Sequence, residues 1–76
     1  MKTLEDLKAK QKGIVKEVKD KELSNHLIRF GIGKGSKITC NEKIPLGPII
    51  IKFNLQEIAI ARNLAKMVVL KWKILF

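Results

Sequence analysis

Apolar and polar residues alternate over several short runs of this chain, and the alternation predicts β-strands. In one run, Ile49, Ile51 and Phe53 occupy every second position, which is the period typical of a half-buried strand. In another run, Ile58 and Ile60 are expected to point inward for the same reason. The predicted strands cover residues 14–18, 36–44, 49–53, 56–61 and 67–70.

A single stretch has the periodicity of an α-helix instead. Leu23, Leu27 and Phe30 recur at positions i, i+4 and i+7, which places them along one face of a helix over residues 22–30. Polar residues fill most of the positions between them. A short amphipathic helix is therefore predicted between the first and the second strand.

Two glycines are predicted to shape the end of this helix and the turn that follows it. Gly31 comes directly after the helix, where a residue with a positive φ commonly closes the last turn. Gly35 follows Lys34 in a predicted tight turn, since a residue without Cβ tolerates a positive φ there. The turn is not a phosphate-binding loop, because Gly35 separates Lys34 from Ser36 and the run leads from helix into strand.

The segments between these elements predict turns. Residues 3–7 predict a helical turn or an extended lead-in, with Thr3 and Asp6 at the two positions of a capping box. The other predicted turns cover residues 11–13 and 45–48, and residues 62–66 predict one helical turn. About five short strands, with one helix after the first of them, favour a mainly β fold in the form of a small barrel.

The length of 76 residues predicts a single domain, residues 1–76, with a thin core and little room for a deep active-site cleft. The start of the chain lacks the apolar segment of a signal peptide. No apolar run approaches the roughly 20 residues that a membrane-spanning helix needs. A soluble, cytoplasmic protein is expected.

The residues that could carry chemistry are few. Cys40 is the only cysteine, and it is either a reactive thiol or a small apolar residue beside Ile38, of which the second is favoured. His26 is the only histidine, and a metal ligand would need two or three partners at suitable spacing. Because no such cluster and no catalytic set is visible, neither a metal, a cofactor nor an enzymatic activity is predicted.

The chain is strongly basic, with 16 Lys and Arg residues against 7 Asp and Glu residues and a net charge of +9. This balance allows two interpretations, a small nucleic-acid-binding barrel or a lysine-rich, solvated surface. Arg29 and Arg62 are the only arginines and tyrosine is absent, whereas nucleic-acid readers usually add arginines and aromatic platforms. The second interpretation is favoured, and no nucleic-acid partner is expected.

Four segments, in order and over almost the whole chain, resemble one protein family. They are TLEDLK with QKGIV (3–8 and 11–15), LIRFGI with GS (27–32 and 35–36), PLGPI (45–49), and IAI with Ala65 and VV (58–60 and 68–69). This pattern is similar to that of the bacterial ferrous-iron transport accessory protein A family (FeoA). The resemblance implies an SH3-like barrel and a cytoplasmic, non-enzymatic role beside a membrane iron permease.

By the same resemblance, the implied partner is the cytoplasmic, nucleotide-binding part of a G-protein-fused ferrous iron permease. The expected contact surface combines the loop at Leu46 and Gly47 with the helix around His26, Leu27 and Arg29. The Leu46 side chain either serves as an exposed anchor for this partner or folds back over one end of the barrel.

The last residues continue the strand pattern beyond the part that resembles the family. Trp72, Ile74 and Phe76 alternate with Lys71, Lys73 and Leu75. Burying the two aromatic side chains would contribute roughly 1.5–3 kcal/mol each. We therefore expect them to be buried within the chain or against a second copy in a homodimer.

Overall fold

A computed structural model of the chain describes residues 2–71 and shows a mainly β architecture. The expectation for Trp72, Ile74 and Phe76 lies outside the described residues. The strands are β1 (Lys2–Thr3), β2 (Lys12–Val18), β3 (Lys37–Lys43), β4 (Ile49–Phe53), β5 (Gln56–Ile60) and β6 (Val68–Lys71). The helices are α1 (Lys21–Ile28), α2 (Arg62–Ala65) and a 3₁₀ turn (Leu4–Asp6).

The strands form one antiparallel sheet in the order β1-β6-β2-β3-β4-β5. The strand that the sequence did not predict is β1, which pairs with β6 through only two residues. A strand of two residues has no measurable period of its own, so only its partner defines it. Its continuation, Leu4–Asp6, takes the helical turn predicted there, and the Asp6 carboxylate accepts a hydrogen bond from the Thr3 N–H at 2.9 Å.

The turn predicted at residues 11–13 is wrong. Lys12 and Gly13 lie in β2, opposite Thr39 and Ile38, so the glycine is part of a strand. The chain reverses just before, where Lys10 has a φ of 73° and the Gln11 N–H donates to the Lys8 carbonyl.

Irregularities in two long strands bend the sheet around the core. β2 gains an extra residue between Val15 and Glu17, and β3 gains one between Cys40 and Glu42. Bulges of this kind sharpen the local bend and twist, which lets a small sheet curl on itself. The interior holds the predicted inward residues of β3, β4 and β5. They are Ile38, Cys40, Ile49, Ile51, Ile58 and Ile60.

The helix α1 is fixed at both ends. At its start, the Asp20 carboxylate accepts a hydrogen bond from the Leu23 N–H at 2.9 Å. At its end, the Ile32 N–H donates to the Leu27 carbonyl at 3.0 Å, and the Gly31 N–H donates to the Ile28 carbonyl at 2.9 Å. This pair of bonds defines a Schellman ending, in which Gly31 has a φ of 86°. Leu27 and Ile32, the two apolar residues of the motif, are both buried.

The two edge strands of the sheet, β1 and β5, are not paired with each other. The gap between them is closed because the 3₁₀ turn after β1 packs against α2, which follows β5. The Lys43 ammonium group also donates a hydrogen bond to the Glu5 carbonyl at 2.7 Å. Neither helix in residues 2–71 has the length and apolar character that crossing a membrane requires.

Candidate functional site

The loop between β3 and β4 presents the most exposed apolar side chain in the described residues, that of Leu46. Its relative exposure is 105%, so nothing in residues 2–71 covers it. The Gly47 N–H donates to the Ile44 carbonyl at 2.8 Å, which makes residues 44–47 a β-turn with Pro45 and Leu46 at its centre. Of the two placements that the sequence left open for Leu46, the structure shows the exposed one.

The backbone of Leu46 adopts a conformation that leucine rarely takes. Its φ is 58°, which lies in the left-handed region and costs a residue with a Cβ roughly 1–2 kcal/mol. Glycine or asparagine is the usual residue at such a turn position. Strain of this kind persists only where the surroundings impose it, and it is found preferentially at functional positions.

Gly47 allows the turn to close. A Cβ at this position would lie 2.8 Å from the Cγ2 atom of Ile44, a distance that real Cβ contacts essentially never show, and a tight 3.2 Å from its Cβ atom. Gly47 therefore supports the loop through its lack of a side chain, whereas Leu46 presents an exposed apolar side chain.

Arg62, at the start of α2, is hydrogen-bonded to the backbone of the β3–β4 loop. Its Nε donates to the Gly47 carbonyl at 3.0 Å, and its Nη2 donates to the Ile44 carbonyl at 2.7 Å. The guanidinium group thus spans the turn with two charge-assisted hydrogen bonds, which the rigid fork of arginine suits better than the single ammonium of lysine. The sequence showed no sign of this role, because a loop-spanning arginine has no periodicity.

A shallow groove of about 770 Å³ runs beside this loop toward α2. The lining includes three small residues, Gly47, Ala59 and Ala61, and its charged residues are Glu5, Arg62 and Lys66. A partner that covered the Leu46 side chain could therefore extend along the groove over these small residues. We call Leu46, Gly47 and this groove the docking loop surface.

Replacing Leu46 with glycine is expected to stabilise the fold by about 0.5–1 kcal/mol. Glycine removes the strain of the positive φ, part of which is offset by the greater freedom of glycine in the unfolded chain. No apolar burial is lost, because the leucine is fully exposed. Urea unfolding of the two proteins measures the difference.

Leu55→Gly is the matched control for this substitution. Leu55 is 96% exposed in the β4–β5 turn but is not among the residues with a positive φ. The Leu55→Gly substitution is therefore expected to give no gain in stability. A stabilisation of equal size in Leu55→Gly, or a loss in Leu46→Gly, would show that the φ of Leu46 carries no strain.

The helix residues predicted for the contact surface do not all reach the surface. His26 and Arg29 are exposed, whereas the Leu27 side chain is only 1% exposed and packs in the core. Leu27 therefore positions α1 and is not available to touch a partner. The His26 ring makes an edge contact with Phe30, with centroids 5.3 Å apart. Next to Leu27, Ile28 is 59% exposed, a surface position that the helical period of the apolar residues does not reveal.

The helix α2 lies between the two predicted contact regions. Arg62 of α2 bonds to the β3–β4 loop, called the docking loop below. Leu64 of α2 lines a hollow that it shares with Asp20, Glu22 and His26 of the α1 region. Despite this proximity, no group of three His, Cys, Asp or Glu residues in the described range could hold a metal ion.

Gly31 and Gly35, with φ values of 86° and 92°, shape the end of α1 and the turn into β3.

Cys40 is buried in the barrel beside the other inward residues of β3. Burial raises the pKa of its thiol, and the nearby charges of Lys43 and Arg62 only partly oppose this effect. A buried, protonated thiol is a poor nucleophile, so the favoured interpretation of Cys40 as an apolar core residue agrees with its position.

Modification of Cys40 by a thiol reagent such as 5,5′-dithiobis(2-nitrobenzoate) is expected to be slow in the native protein and fast in urea. Since the unfolded chain releases the thiol proton at a lower pH than the folded chain, stability should also fall as the pH rises from the ordinary thiol pKa toward the raised one. Absorbance at neutral pH measures the rate of thiol modification. Urea unfolding in alkaline buffers measures the loss of stability with rising pH. Rapid labelling of the native protein would contradict the buried placement.

The chain matches the family model of the FeoA domain over residues 2–71. It is 29% identical to the protein in a crystal structure described as an iron uptake regulatory protein (FeoA), with 93% of this chain and 97% of that chain aligned and a TM-score of 0.78. It is 27% identical to the FeoA protein of Chlorobium tepidum, with 91% of this chain and 68% of that chain aligned and a TM-score of 0.83.

The crystal structure of FeoA from Stenotrophomonas maltophilia, determined with zinc bound, shows the same fold at 23% identity. The alignment covers 93% of this chain and 91% of that chain, with a TM-score of 0.80. That protein is described as an SH3 domain protein, which confirms the predicted SH3-like fold. No functionally curated protein matches the chain.

Proposed function

Because the chain belongs to the FeoA family, we propose that it is a non-enzymatic accessory protein of bacterial ferrous iron uptake. Its proposed partner is the cytoplasmic, nucleotide-binding part of the ferrous iron permease, and its proposed location is therefore the cytoplasm. The descriptions of two solved relatives support this class of function, one as an iron uptake regulatory protein and the other as a proposed activator of ferrous iron transport.

The observation that carries the proposed docking is the exposed, strained Leu46 on a loop held by Arg62. A leucine kept in water forgoes the roughly 1.5–3 kcal/mol that burial of its side chain would contribute. A partner with an apolar pocket recovers this free energy when it covers the side chain. The loop therefore has the features of an anchor for another protein.

The rigidity of the loop favours binding as well. Two hydrogen bonds from Arg62 and one from the Gly47 N–H hold the turn in a single shape before any partner arrives. Little conformational entropy is then lost at the interface, so more of the free energy of burying Leu46 remains as affinity. His26 and Arg29 of α1 add polar contacts at the edge of the proposed interface.

Direct binding to the permease tests the proposal. The purified protein is titrated against the immobilised cytoplasmic part of the permease from the same organism, and in parallel against the full permease in detergent. We expect saturable binding to both in biolayer interferometry. Absence of binding to the full permease, with and without guanine nucleotide, would overturn the proposed function.

A further inference from the structure

A second groove, of about 590 Å³, lies between α1 and the sheet, and it shares no residue with the docking loop surface. Lys16, Lys34 and Lys71 are part of its lining, and Ile28 stands on its helical side. We propose that this lysine groove binds an acidic protein segment that carries an aliphatic side chain. The proposal does not depend on docking to the permease.

The three lysines leave a concentrated positive charge at the groove. All three are exposed, and none of their ammonium groups forms a hydrogen bond or an ion pair with the rest of residues 2–71. Among residues 2–71, Glu17 is the one acidic residue of the lining, so the three lysines outnumber the carboxylates there. Such a patch attracts an anionic ligand and raises its rate of association.

The backbone of the sheet and of the turn before β3 places these three lysines at the same groove. Lys16 is the extra residue of the bulge in β2, and a bulge turns side chains away from the regular alternation of a strand. Lys34 precedes Gly35 in a tight turn that is tied to β2, because the Gly35 N–H donates to the Val15 carbonyl at 2.8 Å. Lys71 is paired with Ile14 in the sheet. Backbone hydrogen bonds at or next to each lysine therefore set its Cα position.

Ile28 determines which kind of anion fits. Its side chain is 59% exposed beside the lysines, and half-buried Val18 continues the apolar surface into the groove. Within residues 2–71 the lining contains neither arginine nor an aromatic residue, the side chains on which nucleic-acid binding usually depends. An apolar patch beside three ammonium groups instead matches a peptide in which glutamates or aspartates flank a leucine or isoleucine.

Fluorescence anisotropy with synthetic peptides tests the proposal. The probe is a labelled peptide in which glutamates flank a central leucine. One comparison peptide carries serine for the leucine, another carries glutamine for each glutamate, and a single-stranded oligonucleotide of equal length represents nucleic acid. We expect the first peptide to bind tightest and its affinity to fall as the salt concentration rises.

Variants then assign the binding to this groove. Lys34→Glu and Lys71→Glu are each expected to weaken binding of the probe by about threefold to tenfold, the range for exposed ion pairs that are lost and replaced by repulsion. Ile28→Ser should remove the preference for leucine over serine. Lys8→Glu, an exposed lysine outside the groove, makes the same change of net charge and is the control.

The outcomes separate the proposal from its rivals. Equal weakening by Lys8→Glu would show that only the overall charge attracts the peptide, and it would overturn the proposal. Tighter binding of the oligonucleotide than of the acidic peptide would also overturn it, in favour of nucleic acid. Circular dichroism of each variant ensures that only folded proteins are compared.

Discussion

Replacing Leu46 with aspartate is expected to weaken binding to the cytoplasmic part of the ferrous iron permease by at least about thirtyfold, the effect of losing roughly 2 kcal/mol at an interface anchor. The substitution removes the apolar side chain and places a carboxylate where the partner's pocket would have to desolvate it. Titration of the variant in biolayer interferometry measures the loss.

Leu55→Asp is the matched control for this experiment. Leu55 is a second leucine with almost complete exposure, at 96%, but it lies in the β4–β5 turn away from the docking loop. Both variants lose one leucine and gain one negative charge, so a difference between them belongs to the position. If Leu55→Asp weakened binding as much as Leu46→Asp, or if neither did, the docking loop would not be the anchor.

Leu46→Gly tests the same position by two measurements, stability and affinity. The same substitution is expected to raise stability and to lower affinity, because the strain and the contact surface belong to one residue. A general defect in folding would move both quantities downward. Opposite signs in the urea and binding measurements would therefore assign Leu46 to function.

Leu27→Ala is expected to lower the free energy of unfolding by about 2–5 kcal/mol, the usual cost of truncating a buried leucine. The side chain is 1% exposed and holds α1 against the barrel. A domain of this size has a total stability of only about 5–15 kcal/mol, so the variant loses a large share of it. Urea unfolding followed by circular dichroism measures the change.

Ile28→Ala, one residue further along the same helix, is the control. Ile28 is 59% exposed, so its truncation is expected to change stability by less than about 1 kcal/mol. The pair of variants thus separates the inward and outward faces of α1. Comparable effects of the two substitutions would contradict the helix orientation described above.

Features that depend on near neighbours in the chain were predictable from the sequence. The face of α1 that carries Leu23 and Leu27 follows from a helical period, and the ending at Gly31 follows from the needs of the last turn. The inward residues of β4 and β5 follow from alternation in the same way. Each of these signals is contained within a few residues.

Features that depend on distant partners were not predictable. The two residues of β1 form a strand only because β6 lies beside them, and Gly13 indicates a turn until its pairing with Ile38 is known. The exposure of Leu46 depends on a turn held by Arg62, which bonds to Gly47 from 15 residues further along the chain. The bulge at Lys16 likewise exists only relative to β6.

The unpaired edges of the sheet also have a consequence for how the molecule opens. No ladder of backbone hydrogen bonds joins β1 to β5 in the described residues, and a helix contact and the Lys43–Glu5 hydrogen bond close the gap instead. Separating these groups breaks few bonds, so the barrel can part along this line without global unfolding. The amide protons of β5 should then exchange with solvent deuterium before those of β2 and β3, which have neighbours on both sides.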